Sequence, residues 1–104
     1  MDAQVRDNDE KNRFEIDLGD GLAIADYKRL VNRIMFTHTE VPPAYEGQGI
    51  ARQLILAGLE AARREGRKVI PVCPLFASYM KRHPETHDLL DPAYLSVLGI
   101  ERSA

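Results

Sequence analysis

The chain contains a single cysteine, no tryptophan and no surplus of basic charge. One cysteine, Cys73, excludes an internal disulfide and a multi-cysteine zinc site. Fourteen Lys and Arg against 16 Asp and Glu leave a net charge of −2, whereas a nucleic-acid binder normally carries a basic excess. No apolar run approaches the roughly 20 residues that cross a bilayer, and the polar N-terminus has no apolar core of a secretion signal. These absences lead us to expect a small cytoplasmic protein that engages neither nucleic acid nor membrane. What is present is 104 residues, 44% hydrophobic and 29% charged, in the range of ordinary globular domains. That length suits one domain, burying roughly 65% of its unfolded surface without staples.

Residues 1–12, MDAQVRDNDEKN, are mostly polar and show no apolar period, which predicts a flexible arm ahead of a single domain over 13–104. Phe14, Ile16 and Leu18 then alternate with polar neighbours, and Leu22, Ile24 and Tyr27 extend the pattern beyond Gly19-Asp20-Gly21. Alternation around an Asp-Gly turn signal predicts a β-hairpin. Arg33 to Val41, rich in β-branched and aromatic residues, predicts a third strand after a turn at Val31-Asn32. Pro42-Pro43 stops that strand, because neither residue can donate to a ladder.

A glycine-bearing loop, Tyr45 to Gly49, leads into the clearest helix, Ile50 to Glu65. Leu54, Ile55, Gly58, Leu59, Ala61 and Ala62 share one face, Arg52, Gln53, Glu60, Arg63 and Arg64 the other, and Gly66 closes it. Lys68 to Cys73 reads as a second strand, so a βαβ unit with parallel strands and a right-handed crossover is expected. Pro71 lacks an N–H, which predicts that this strand is unpaired along part of one side. Pro74 opens a further helix at its first position and Pro84 ends it after His83, with short turns expected in the remainder. The fold class is therefore α/β with a mixed sheet (α+β): an antiparallel β-meander, a βαβ unit and a C-terminal helix.

Gly47-Gln48-Gly49 lies between a strand and a helix, where the first helical N–H groups lack partners and the dipole adds positive character. Such a turn can hold phosphate or pyrophosphate, or it can be a plain loop. No Gly-Lys-Ser/Thr follows, so it is not a P-loop, and Arg52 takes the place of the third glycine of a dinucleotide motif. The run Glu46-Gly47-Gln48-Gly49-Ile50-Ala51, continued by Arg52-Gln53-Leu54, resembles the acyl-CoA pyrophosphate loop of the GNAT superfamily of N-acetyltransferases. That pattern is Gln/Arg-x-x-Gly-x-Gly/Ala; Gly49 and Ala51 match its last fixed positions, while Glu46 departs from its first. The stretch from Thr39 to Glu85 is similar to the short single-domain GNAT-like branch in which a cysteine follows the second parallel strand.

The resemblance implies that acetyl-CoA enters between the two parallel strands. Glu40 and Val41 would then line its pantetheine arm, the backbone of Gly47, Gln48, Gly49, Ile50, Ala51 and Arg52 would hold the pyrophosphate, and Lys81 and Arg82 would meet nucleotide phosphates. Cys73, at a strand end and the N-cap of the next helix, would lie beside the acyl thioester. A thiol at a helix N-terminus gains thiolate character, so Cys73 is either a nucleophile or a pocket residue. Direct transfer needs a base to free the acceptor amine. His38 and Glu40 share a strand face opposite to Thr39 and are the candidates, histidine having an ordinary pKa of about 6.5. Backbone N–H groups near Val41 would polarise the thioester carbonyl. Tyr79 is either an acid for the departing thiolate or a core aromatic. His83 and His87 are four apart, but Pro84 breaks the helix they would share, so no metal site is expected.

The leading expectation is an acetyl-CoA-dependent N-acetyltransferase acting on an amine of a small molecule or protein. A non-catalytic acyl-CoA-binding module and a small protein-interaction domain are the alternatives.

Overall fold

The computed structural model describes residues 4–100. Strands β1 (Val5–Asn8), β2 (Arg13–Asp17), β3 (Leu22–Arg29), β4 (Arg33–Glu40) and β5 (Lys68–Pro71) form one sheet in chain order. The first four are antiparallel neighbours; β5 pairs parallel with β4. The crossover between them is helix α1 (Ile50–Glu65), and α2 (Pro74–Arg82) and α3 (Pro92–Val97) follow. Short 3-10 segments at Pro43–Tyr45 and Pro84–Leu89 fill the connections. The mixed sheet and its βαβ unit agree with the order of elements read from the sequence.

The expected flexible arm is corrected over part of its length. Val5–Asn8 is strand β1, paired with β2 in the register Val5↔Ile16 and Asn8↔Arg13; residues 1–3 lie outside the described residues. Its charges look like those of a solvated arm, but here they are cross-strand partners. Arg6 Nη2 donates to Glu15 Oε1 at 2.5 Å, and Asn8 Nδ2 to Glu15 Oε2 at 3.0 Å. Arg29 then ties β1 and the turn after it to the end of α1, reaching Asp7, Asp9 and Glu65 at 2.9 Å each.

Glu15 is the buried charge of the sheet, its side chain 3% exposed beneath Arg6 and Arg13. The Arg6 and Arg13 guanidiniums hold its carboxyl at about 2, below the ordinary 4.5. A folded value below the unfolded one means that the stabilisation is complete above about 4.5 and is lost as pH falls towards 2. Glu15→Gln is therefore expected to cost about 1–3 kcal/mol at neutral pH and to flatten the acid limb of stability, measured by urea unfolding at pH 7 and pH 3.

The core lies between the sheet and the helices. Phe14, Ile16, Ile34 and Phe36 point into it from β2 and β4. From β3 it receives Ala23, Ala25 and Tyr27, while Leu22 is exposed and Ile24 half-buried on the outer face. The apolar pattern of the sequence had placed Leu22 and Ile24 with Tyr27. Small residues on the inner face instead leave room for α1, which packs across β2, β3, β4 and β5. Phe36 stacks on Phe76 of α2 with centroids 4.0 Å apart, and Gly58 of α1 lies against both rings.

Candidate active site

Strand β4 pairs with β3 in one register from Ile24↔Glu40 to Asp26↔His38, then in another from Tyr27↔Phe36. Thr37 is the residue left over, a β-bulge. A bulge reverses the alternation of sides, and its effect is visible in what each side chain touches. Phe36 is in the core, and Thr39, three residues on, points to the same side: its Oγ1 lies 3.2 Å from the Sγ of Cys73. His38 and Glu40 point the other way, 59% and 67% exposed, with His38 Nε2 3.2 Å from Glu40 Oε2. Asp26 stands directly across from His38 on β3.

The parallel pairing of β4 and β5 stops at Phe36↔Pro71. Cys73 N–H still donates to Phe36 O at 2.8 Å, after which the chain turns into α2. On its other side β5 makes a single bridge, Val69↔Leu90. Pro71 thus occupies the last paired position, where its missing N–H costs no ladder bond. The end of β4, from Thr37 to Glu40, is left without a β5 partner among the described residues.

A cleft of about 410 Å³ occupies this gap, lined by Thr39, Glu40, Val41, Tyr45, Glu46, Gly47, Ala51 and Leu75. Tyr45 anchors its rim by donating to Leu18 O at 3.2 Å and Asp20 Oδ1 at 3.0 Å. Gly49 turns the chain into α1 with φ 78°, a left-handed conformation that glycine adopts without a Cβ penalty. No side chain caps α1, and its first turn carries no acidic residue, so its N-terminal N–H groups point outward with the positive end of the dipole. Ala51 and Leu75 also line a second groove, of about 390 Å³ between α1 and α2, which brings in Arg52, Ser78, Tyr79, Arg82 and His83. The two depressions therefore adjoin across Ala51 and Leu75, with the N-terminus of α1 beside them and Arg52 and Arg82 on the second.

The structure places Val41, Gly47 and Ala51 on the cleft and Ala51, Arg52 and Arg82 on the groove; Gln48 and Gly49 face a separate depression beside Val5 and Leu56, and Ile50, the first residue of α1, is buried in the core. Lys81 is exposed on α2 outside both linings, and Tyr79 lines the second groove, its ring stacked on His83 at 3.8 Å. Cys73 is 2% exposed and lies behind Thr39 rather than on the cleft wall. His83 Nδ1 donates to Tyr79 O at 2.7 Å and His87 Nε2 to Met80 O at 2.8 Å, so both imidazoles cap the end of α2. Glu46 and Glu40 put two carboxylates on the cleft rim, so attraction for a polyanion falls to the α1 backbone and to Arg52 and Arg82.

Thr39 and the Thr37 bulge are the features that residue-by-residue reading missed. A signal was present in β4: a straight strand would place charged Glu40 and His38 on the same face as Phe36 and Ile34.

Comparison with known proteins agrees with this geometry. A family model described as GCN5-related N-acetyl-transferase matches residues 13–89. The chain is 33% identical over 84 residues to Protein NATD1 of Gallus gallus, an alignment covering 78% of this chain and 76% of that protein. Protein NATD1 of Homo sapiens is 40% identical over 57 residues, which cover 55% of this chain and 48% of the relative. In three dimensions the chain is similar to the NMR solution structure of a GCN5-like protein from Staphylococcus aureus, with a TM-score of 0.67 and 28% identity, over 86% of this chain and 88% of that one.

Proposed function

Since the chain belongs to the GCN5-related N-acetyl-transferase family, we propose that it transfers the acetyl group of acetyl-CoA to an amine. The observation that carries this reading is the gap between β4 and β5, which opens directly onto the uncapped N-terminus of α1. Bound there, acetyl-CoA supplies an acyl group activated as a thioester. The free edge of β4 at Glu40 and Val41 holds its pantetheine arm by backbone hydrogen bonds. The backbone from Gly47 to Arg52 receives the pyrophosphate, and the Arg52 and Arg82 side chains flank the nucleotide end.

The bulge separates two jobs. Thr39 and Cys73 face the helices, and His38 and Glu40 face the open side of the sheet. An acceptor amine approaches from that open side, where Asp26 and Glu40 attract its ammonium form and His38 removes the proton that blocks attack. Between Phe14 and Val41 there is no helix to roof this face, which suits a protein side chain or terminus as well as a small amine.

The test is CoA release with a lysine-containing peptide, a peptide with a free N-terminus and spermidine, with acetylated product identified by mass. At least one acceptor is expected to raise release above hydrolysis, and His38→Gln to lower it about 100-fold with the affinity for acetyl-CoA unchanged. Binding without acceptor-dependent release would leave an acyl-CoA-binding module instead.

A further inference from the structure

We propose that Thr39 is a catalytic residue, donating its hydroxyl proton to the departing sulfur, and that the buried Cys73 thiol acts through it. This rests on the acetyl-transfer reading of the cleft. Three observations lead to it. Thr39 lines the cleft wall, and Cys73 does not. The two side chains are in contact, Oγ1 to Sγ at 3.2 Å, at a point where the Thr37 bulge has turned Thr39 inward. Tyr79, the phenol nearest in sequence on the following helix, is stacked on His83 and lines the other groove.

A thiolate leaving group needs a proton, and the only hydroxyl on the wall beside the β4 edge belongs to Thr39, apart from the rim phenol of Tyr45, which is engaged by Leu18 O and Asp20. An alcohol alone is too weak an acid to give its proton up. A thiol behind it changes the balance, because a proton passing from one alkyl thiol to another moves between groups of the same class. The 3.2 Å contact allows either atom to donate; in the relay Cys73 S–H donates to Thr39 Oγ1, which leaves the Thr39 O–H free for the cleft. As the nitrogen–carbon bond forms and the carbon–sulfur bond breaks, Thr39 passes its proton to the sulfur and takes the Cys73 proton in return. Cys73 is left as a thiolate. His38 then releases the proton it took from the amine to solvent, and one proton from the cleft restores the Cys73 thiol through Thr39 Oγ1, so the cycle closes as thioester plus amine giving amide plus thiol. Burial of Cys73 at 2% exposure keeps its sulfur from attacking the acyl carbon itself.

The test has two arms. In the first, CoA release is measured with an accepted amine, or to water where no amine is accepted, since the leaving group is the same. Thr39→Val is expected to lower kcat about 100-fold with acetyl-CoA affinity within threefold of wild type, and Thr39→Ser to recover most of the loss. Cys73→Ala should lose as much, and the double variant no more than either single one, as for groups acting in series. In the second arm, alkylation of Cys73 by iodoacetamide is followed in the free protein. Thr39→Ala, which opens the wall, is expected to speed labelling at least tenfold, and saturating CoA to suppress that gain. Labelling that does not accelerate, or that CoA fails to suppress, overturns the placement of Thr39 between cleft and thiol. If wild type releases CoA and Thr39→Val releases it as fast, the relay is overturned, and the transferase reading stands wherever that release depends on an amine. If wild type releases none above the solution background, both fall.

Discussion

An Ala51→Glu chain is expected to fold at least as stably as wild type and to bind acetyl-CoA about 100-fold more weakly. Ala51 lies in the first turn of α1 and lines both the cleft and the adjoining groove. That turn has no acidic residue and no side-chain cap. A carboxylate there complements the helix dipole, which is worth about 0.3–1 kcal/mol of folding stability. The same carboxylate stands where we propose that the pyrophosphate binds, and like charges brought together cost several kcal/mol. A cost of about 2.8 kcal/mol is a hundredfold in affinity. The opposite signs make the result specific, because a substitution that merely damaged the fold would lower both. Thermal unfolding together with calorimetric titration reads the two quantities on the same sample.

Gly58→Val is expected to destabilise the domain by about 3 kcal/mol or more, lowering Tm by roughly 15 °C. Gly58 is in the middle of α1, where glycine is about 1 kcal/mol worse than alanine by propensity alone. On propensity, alanine should therefore improve the helix. Contact decides otherwise. A Cβ at this position would sit 2.8 Å from two atoms of the Phe36 ring and 3.2 Å from the Phe76 ring. Phe36 has no room to retreat, being fully buried and stacked on Phe76 at 4.0 Å. Overpacking of this kind costs about 1–3 kcal/mol for small additions, so Gly58→Ala should be mildly destabilising and Gly58→Val clearly so. Urea unfolding of both variants checks the order. A Gly58→Ala chain more stable than wild type would show that the rings yield.

The consequence extends to the cleft. Phe36 is the last β4 residue paired with β5 and the acceptor for Cys73 N–H. Gly58, Phe76 and Phe36 thus fix the point from which β4 and β5 diverge, and the Thr37 bulge follows immediately.

Much of this architecture was legible in the sequence because it rests on local rules. Ile50 to Glu65 carries its helical stripe and its terminal Gly66, and Pro74 opens α2 where its missing N–H is harmless. Pro71 signalled, for the same physical reason, a strand unpaired along part of one side, and among the described residues β5 has only the Val69↔Leu90 bridge opposite β4. The glycine turn before α1 was equally plain. What was hidden depends on partners distant in sequence. Val5–Asn8 has too little apolar content to declare itself, and is held by Glu15 and Arg29 from later strands. Ala23 and Ala25 are inward because α1 lies over them, although Leu22 and Ile24 are the more hydrophobic pair. The position of Cys73 could be read, but its concealment behind Thr39 could not, since the Thr37 bulge has no residue signature of its own. Only the mismatch in phase between Phe36 and Glu40 hinted at it.

The central claim is that the gap between β4 and β5 receives acetyl-CoA. The most direct measurement is a titration of isotope-labelled protein with acetyl-CoA, followed by backbone amide chemical shifts. The account predicts saturable shifts concentrated at Thr39 to Val41 and Gly47 to Arg52, extending to Arg82 and leaving the β3–β4 turn at Val31 and Asn32 still. An absence of shifts at millimolar acetyl-CoA, or shifts centred on that turn instead, would contradict it.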